Sequence, residues 1–133
     1  MRIGIGYFAM AACLTSMVWA GAAAAMSDEK AAALGQVVAA WKIAKRCDGV
    51  KPIGNGDYQS FVMAATEITA AQGFGRQGMR ALLFYGRADD NDNLGAFELD
   101  KRGLFNQDKA LCRFGKKMAG TEDSIGRFLK GAK

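Results

Sequence analysis

Histidine is absent from this 133-residue sequence. Its absence removes the commonest general base, the commonest haem ligand and the c-type haem motif, which needs C-x-x-C-H. Proline occurs once, at Pro52. There is no low-complexity linker and no internal repeat to mark a second domain. No stretch alternates with period two, so a half-buried strand has no signature here. Beyond residue 25 two cysteines remain, Cys47 and Cys112. Without histidine they are too few, and too far apart in sequence, to hold a metal. No metal site and no cofactor are expected.

What is present is concentrated first at the N-terminus. Arg2 supplies a positive charge, an apolar run from Ile3 to Trp19 follows, and the small residues Ala20 to Ala25 lead into the polar Ser27-Asp28-Glu29-Lys30. That order is the layout of a secretory signal peptide, cleaved near Ala24 or Ala25. It predicts a periplasmic protein with two parts: residues 1–25 as the signal peptide and 26–133 as a single helical domain. The competing reading retains residues 3–25 as a membrane anchor, since they are long enough to span a bilayer. Met10-Ala11-Ala12-Cys13 also resembles a lipobox loosely, but residues 14–25 stay apolar where a mature lipoprotein turns polar.

In an oxidising compartment, the pair Cys47 and Cys112 predicts a disulfide. Closing a loop of about 65 residues contributes roughly 4 kcal/mol in the chain-entropy model. For a domain of about 108 residues that is a large share of its stability.

The charge is uneven. Residues 101–133 hold nine basic and three acidic residues, whereas residues 89–100 carry Asp89, Asp90, Asp92, Glu98 and Asp100 and no basic residue. One reading is a solvated surface with internal charge pairing. The other is a cationic face for an anionic partner.

Apolar spacing predicts an all-α fold: a compact bundle of about five to six short helices stapled by one disulfide. The first helix runs from the Ser27 cap to about Arg46, with Leu34, Val37, Val38 and Trp41 on one face. Cys47 to Gly56 reads as a loop. Asp57 caps a second helix carrying Tyr58, Phe61, Val62, Ala65 and Ile68. A third spans about Gln77 to Arg87. A fourth, about Asn93 to Arg102, uses Leu94, Phe97 and Leu99. Asn106 caps a fifth, which Gly120 stops. Thr121 caps a last helix bearing Ile125, Phe128 and Leu129. Tyr85 and Phe105 fall off the apolar stripes and suit a partner-facing surface.

Several motifs dissolve on inspection. Gly73-Phe74-Gly75-Arg76-Gln77-Gly78 matches G-x-G-x-x-G, but a helix rather than a strand precedes it. The same stretch lacks the flanking aromatics of an RNA-binding strand, so no nucleic-acid partner is expected. Asp90, Asp92 and Gly95 fall at positions 1, 3 and 6 of a calcium loop, yet Leu94 and Lys101 occupy positions that need oxygen ligands. Ser27 to Lys30 matches S-x-x-K without the companion motifs. Glu67, Glu98 and Glu122 are the carboxylates available for acid–base work, with Glu67 nearest the apolar stripe; nothing pairs them in sequence. No catalytic residue is assigned.

The chain resembles a small uncharacterised family of exported, helical, two-cysteine bacterial proteins. The likeness is carried by Ile43-Ala44-Lys45-Arg46-Cys47, Gly73-Phe74, Cys112-Arg113-Phe114-Gly115 and Ser124-Ile125-Gly126-Arg127-Phe128-Leu129. It implies a paired-cysteine helical domain and no established activity. Gly115 and Gly126 suit close helix packing, which would justify the roughly 1 kcal/mol that glycine costs inside a helix.

The expected role is therefore a non-catalytic periplasmic accessory or interaction protein. Its basic C-terminal face would meet an unknown protein or an anionic envelope component, with membrane-surface contact as one form of it. The residues assigned to that face are Lys109, Arg113, Lys116, Lys117, Arg127 and Lys130. A stress or holdase-type protein is the alternative, and a cell-wall-active enzyme the third reading.

Overall fold

A computed structural model describes residues 26–131. Residues 1–25, where the sequence predicts a signal peptide, lie outside the described residues. Five α-helices follow one another: α1 (Asp28–Arg46), α2 (Tyr58–Ala71), α3 (Arg76–Tyr85), α4 (Ala88–Asp100) and α5 (Asp108–Met118). Two three-residue strands, β1 (Val50–Pro52) and β2 (Leu129–Gly131), pair antiparallel with Val50 opposite Gly131, Lys51 opposite Lys130 and Pro52 opposite Leu129. Among the described residues, no helix is long and apolar enough to cross a membrane.

The first helix is the axis of the molecule. Ser27 accepts a hydrogen bond from the Lys30 amide at 3.1 Å, and Asp28 and Glu29 sit in the positive first turn. Leu34, Val37, Ala39, Ala40 and Ile43 have no exposed surface. Neighbours cover α1 on several sides, because alanine and glycine let them come close. A Cβ added at Gly35 would stand 2.6 Å from the Leu94 carbonyl oxygen, and one at Gly95 2.7 Å from Val38 Cγ1. Both positions thus hold α4 against α1 at a separation that side chains would forbid.

Helices α2 and α3 form an antiparallel pair on another side. Asp57 caps α2 by accepting from the Ser60 amide. Phe61, Val62 and Ala65 are fully buried. The buried hydroxyl of Thr66 donates to the Val62 carbonyl at 2.8 Å and accepts from Arg80 Nε at 2.7 Å, so α3 is tied to α2 through a satisfied polar contact. Gly73, at φ +100°, turns the chain between them. The glycine run at 73–78 is therefore a helix connector, with no strand before it.

The molecule departs from the predicted bundle in several places, one of them the cap of α5, which falls at Gln107 instead of Asn106. A small sheet replaces part of the expected loop at 47–56 and the expected sixth helix. After α5, Thr121 Oγ1 turns back to the Met118 carbonyl, and the Asp123 carboxylate accepts from the amides of Ile125 and Gly126. These local bonds compete with helix propagation. The chain then makes a single 3₁₀ turn at Gly126–Phe128 and enters β2. Gly126 is thus not a helix-interior glycine. It packs against the carbonyl of Met118 at the end of α5, where a Cβ would collide. The fourth helix also starts earlier than expected, at Ala88 instead of Asn93.

Cys47, at the C-cap of α1, and Cys112, in α5, stand at disulfide distance with Cα atoms 5.3 Å apart. The pair joins the two helices that enclose the sheet end of the core, where Ile43, Leu111, Ile125, Phe128 and Leu129 are buried. At Gly115 a Cβ would meet Ile43 Cγ2 at 2.7 Å, so α5 packs closely there as the sequence predicts.

Candidate basic face

The apolar side of α5 carries Leu111 and Gly115, both buried. Its opposite side carries Lys109, Arg113, Lys116 and Lys117, all exposed. The spacing i, i+4, i+7, i+8 places these four cations on one face. Lys116 and Lys117 in the last turn also complement the helix dipole. The stripe continues past the helix: a Cβ at Gly49 would lie 3.3 Å from Lys116 Cε, so Lys116 reaches the turn that follows Cys47. Beyond that turn lie Lys51 on β1 and, paired across the sheet, Lys130 on β2.

Ion pairing divides the molecule. Asp92 pairs with Lys42 at 3.3 Å and Asp90 with Arg87 at 3.8 Å. Glu67 pairs with Arg76 at 2.7 Å and Arg80 at 2.9 Å. Glu98 pairs with Lys101 at 2.6 Å and, more loosely, with Arg102 at 3.5 Å. None of these pairs uses a cation of α5. Asp90, Asp92 and Glu98 of α4 are thus paired with cations outside α5, and the basic face keeps its charge. Asp48 and Asp108 are the carboxylates on the segments that carry it.

The two remaining predicted residues behave differently. The Arg127 guanidinium donates to the backbone carbonyls of Asp123 at 3.2 Å and Glu122 at 2.9 Å. It braces the turn that replaces the sixth helix and stands apart from the α5 stripe. Lys130 donates to the Gly54 carbonyl at 2.8 Å and belongs to the sheet.

The carboxylates considered for chemistry are also placed. Glu67 is exposed, and its hydrogen bond from Arg76, followed by the charges of Arg76 and Arg80, holds it below the usual glutamate range. A general acid needs the opposite shift. Glu98, which sequence spacing did not single out, is the buried one: 2 % of its surface is exposed. Its oxygens face Gln36, Lys101 and Arg102, so it joins α4 to α1. Asp89 to Gly95 is helical, which removes the loop that a calcium site requires. Among the described residues no group of three or more His, Cys, Asp or Glu side chains is gathered in metal-binding geometry.

Exposed aromatic surface is the remaining feature. Tyr85 is 88 % exposed and Phe105 44 %, as their positions off the stripes predict. Phe97, expected in the core, is 60 % exposed instead. It lies outward because Leu94 and Glu98 take the α1-facing positions of α4. Trp41, Tyr58 and Phe84 cluster edge to face, with ring centroids 5.0 Å apart for Trp41 and Tyr58 and 6.2 Å for Tyr58 and Phe84. The Tyr58 hydroxyl donates to the Leu83 carbonyl, and burial raises its pKa above the usual value, aided by the charge of Asp92. Comparison of the chain with protein-family models, with curated proteins and with solved structures finds no match in any of the three.

Proposed function

We propose that this chain is an exported, non-catalytic accessory domain that binds an anionic partner through the exposed face of α5. The observation that carries this reading is the charge of Lys109, Arg113, Lys116 and Lys117, none of which is ion-paired among the described residues, whereas Asp90, Asp92 and Glu98 of α4 pair with other cations. Partners of such a face are an acidic protein or an anionic component of the envelope. Complementary charge would steer the encounter and make binding sensitive to salt. Export rests on the layout of residues 1–25 and on the resemblance to exported two-cysteine proteins. In that compartment Cys47 and Cys112 form the covalent staple of the domain.

Charge reversal tests the reading. Replacing Lys109, Arg113, Lys116 and Lys117 by glutamate leaves the buried face of α5 untouched, so the domain stays folded. Binding to the partner falls sharply. Unchanged binding with an intact circular-dichroism spectrum contradicts the reading.

A holdase-type role is the second reading, favoured by the exposure of Tyr85, Phe97 and Phe105. It predicts dye binding that rises under heat or acid, together with recovery of an aggregating client. A domain that stays silent to dye below its unfolding midpoint excludes it.

A further inference from the structure

The recess between the end of α1, the loop after β1 and the strand β2 has a volume of about 430 Å³. Lys45, Lys51 and Lys130 line it, together with Asn55 and Gly56. Three lysines thus come from three separate elements. Lys51 and Lys130 are direct cross-strand partners, which sets their Cβ atoms about 4.5–5.5 Å apart. Like charges so opposed weaken a sheet, and a two-stranded sheet has little stability of its own.

Among the described residues no ion pair neutralises that repulsion. Among the described residues none of the three lysines makes an ion pair, since the pairs formed are those of Lys42, Arg76, Arg80, Arg87, Lys101 and Arg102. Asp57, in the adjoining loop, is turned toward α2, where the Ser60 amide and hydroxyl donate to it. The contacts that the lysines do make are uncharged. Lys130 donates to the Gly54 carbonyl at 2.8 Å, and the Lys45 ammonium lies 5.3 Å from the centre of the Trp41 ring. Such contacts position two of the side chains and leave their charge available. The C-terminal carbonyls of α1 offset part of the Lys45 charge, not that of the cross-strand pair.

We propose that this recess binds a phosphoryl group, held by Lys51 and Lys130 with Lys45 as the third cation. Lysine acts on phosphate as a compact point charge with rotatable donors. A phosphoryl group presents oxygens in several directions and so meets cations from three elements. A carboxylate, with two coplanar oxygens, is matched better by an arginine fork, and no arginine lines the recess. Asn55, whose carboxamide bonds no other described residue, supplies a further donor. Bound phosphate converts the cross-strand repulsion into two attractions, so the residues that weaken the free sheet strengthen the bound one. The inference rests on the reading of a basic anion-binding surface and gives the anion a chemistry. It shares Lys130 with that surface and none of the α5 cations.

The test is the thermal midpoint of the purified protein with inorganic phosphate titrated against chloride at constant ionic strength. Three proteins are compared: the wild type, Lys51→Gln/Lys130→Gln, and the fourfold glutamate variant of α5. The wild-type midpoint rises and saturates. The double variant starts no lower than the wild type, because its repulsion is gone, and does not respond. The α5 variant keeps the full rise even where it has lost its partner, which separates this site from the reading above. An equal rise in the double variant, a lower starting midpoint for it, loss of the rise in the α5 variant, or no rise in the wild type overturns the proposal. Flotation with phosphatidylglycerol vesicles, against pure phosphatidylcholine, then identifies the source. Capture that phosphate displaces and the double variant loses assigns the group to a lipid headgroup; a midpoint rise without capture assigns it to a soluble phosphoryl compound.

Discussion

At the residue scale, small side chains and one buried carboxylate set the packing around α1. Because a Cβ at Gly35 would stand 2.6 Å from backbone at Leu94, Gly35→Ala must push α4 away. The expected loss is about 1–3 kcal/mol, the usual cost of overpacking, read by urea denaturation. Gly131→Ala is the control: a Cβ there meets nothing within 4 Å, and its effect stays within about 0.5 kcal/mol. Glu98→Ala removes the acceptor of Lys101 and Arg102 from a buried position and lowers stability by about 1.5–3 kcal/mol, the range for hydrogen bonds to charged groups. A smaller loss would mean that water replaces the carboxylate. Glycine and glutamate were visible in the sequence at these positions, but their importance was not. Gly35 and Glu98 matter through contacts between α1 and α4, and spacing along one helix does not report what faces it.

At the scale of elements, the first two helices were legible because their caps are local. Ser27 and Asp57 bond amides three residues on, and the apolar stripe of α2 needs no knowledge of its neighbours. The start of α4 is hidden in the sequence, since Asp89-Asp90-Asn91-Asp92 looks like a turn. In the fold, Asp89 and Asp90 fill its positive first turn, where acidic residues are favoured. The sheet was illegible for another reason. Each strand is three residues long, too short for a period-two pattern, and its partner lies far along the chain.

Reduction, or Cys112→Ser, releases α5 from the end of α1 and lowers stability by about 2–5 kcal/mol, seen as a drop in denaturation midpoint. A midpoint unmoved by reductant means that the bond is absent. Acid acts at the N-cap of α2 and at Glu67 within it. The Ser60 hydroxyl and amide hold Asp57 below its ordinary pKa of 3.8, and the Arg76 hydrogen bond holds Glu67 below 4.5. The unfolded chain therefore takes up protons first as pH falls. The stabilisation is complete above those ordinary values and is lost as pH drops through the lower folded ones. Ser60→Ala and Arg76→Gln each flatten that acid limb of the midpoint-versus-pH curve; an unchanged limb shows that other carboxylates control it.

For the whole molecule, charge separation matters more than net charge. The chain carries 18 basic and 13 acidic residues, yet the described ion pairs gather around α2, α3 and α4 and leave α5 and the sheet cationic. The four α5 positions could be chosen from sequence because they share one helix. Lys45 and Lys51 could not, because the sheet that brings Lys51 to Lys130 was itself unseen. Arg127 was chosen for its charge, but its guanidinium is taken up by two backbone carbonyls. Binding that depends on this cationic face weakens steeply as salt is raised.

The most direct test is capture of the partner from an envelope extract by the immobilised protein, after mild cross-linking, beside the variant with Lys109, Arg113, Lys116 and Lys117 changed to glutamate. One anionic component is expected to be retained by the wild type, released by salt and missing from the folded variant. Retention of the same component by both proteins, at low and high salt alike, would contradict that expectation.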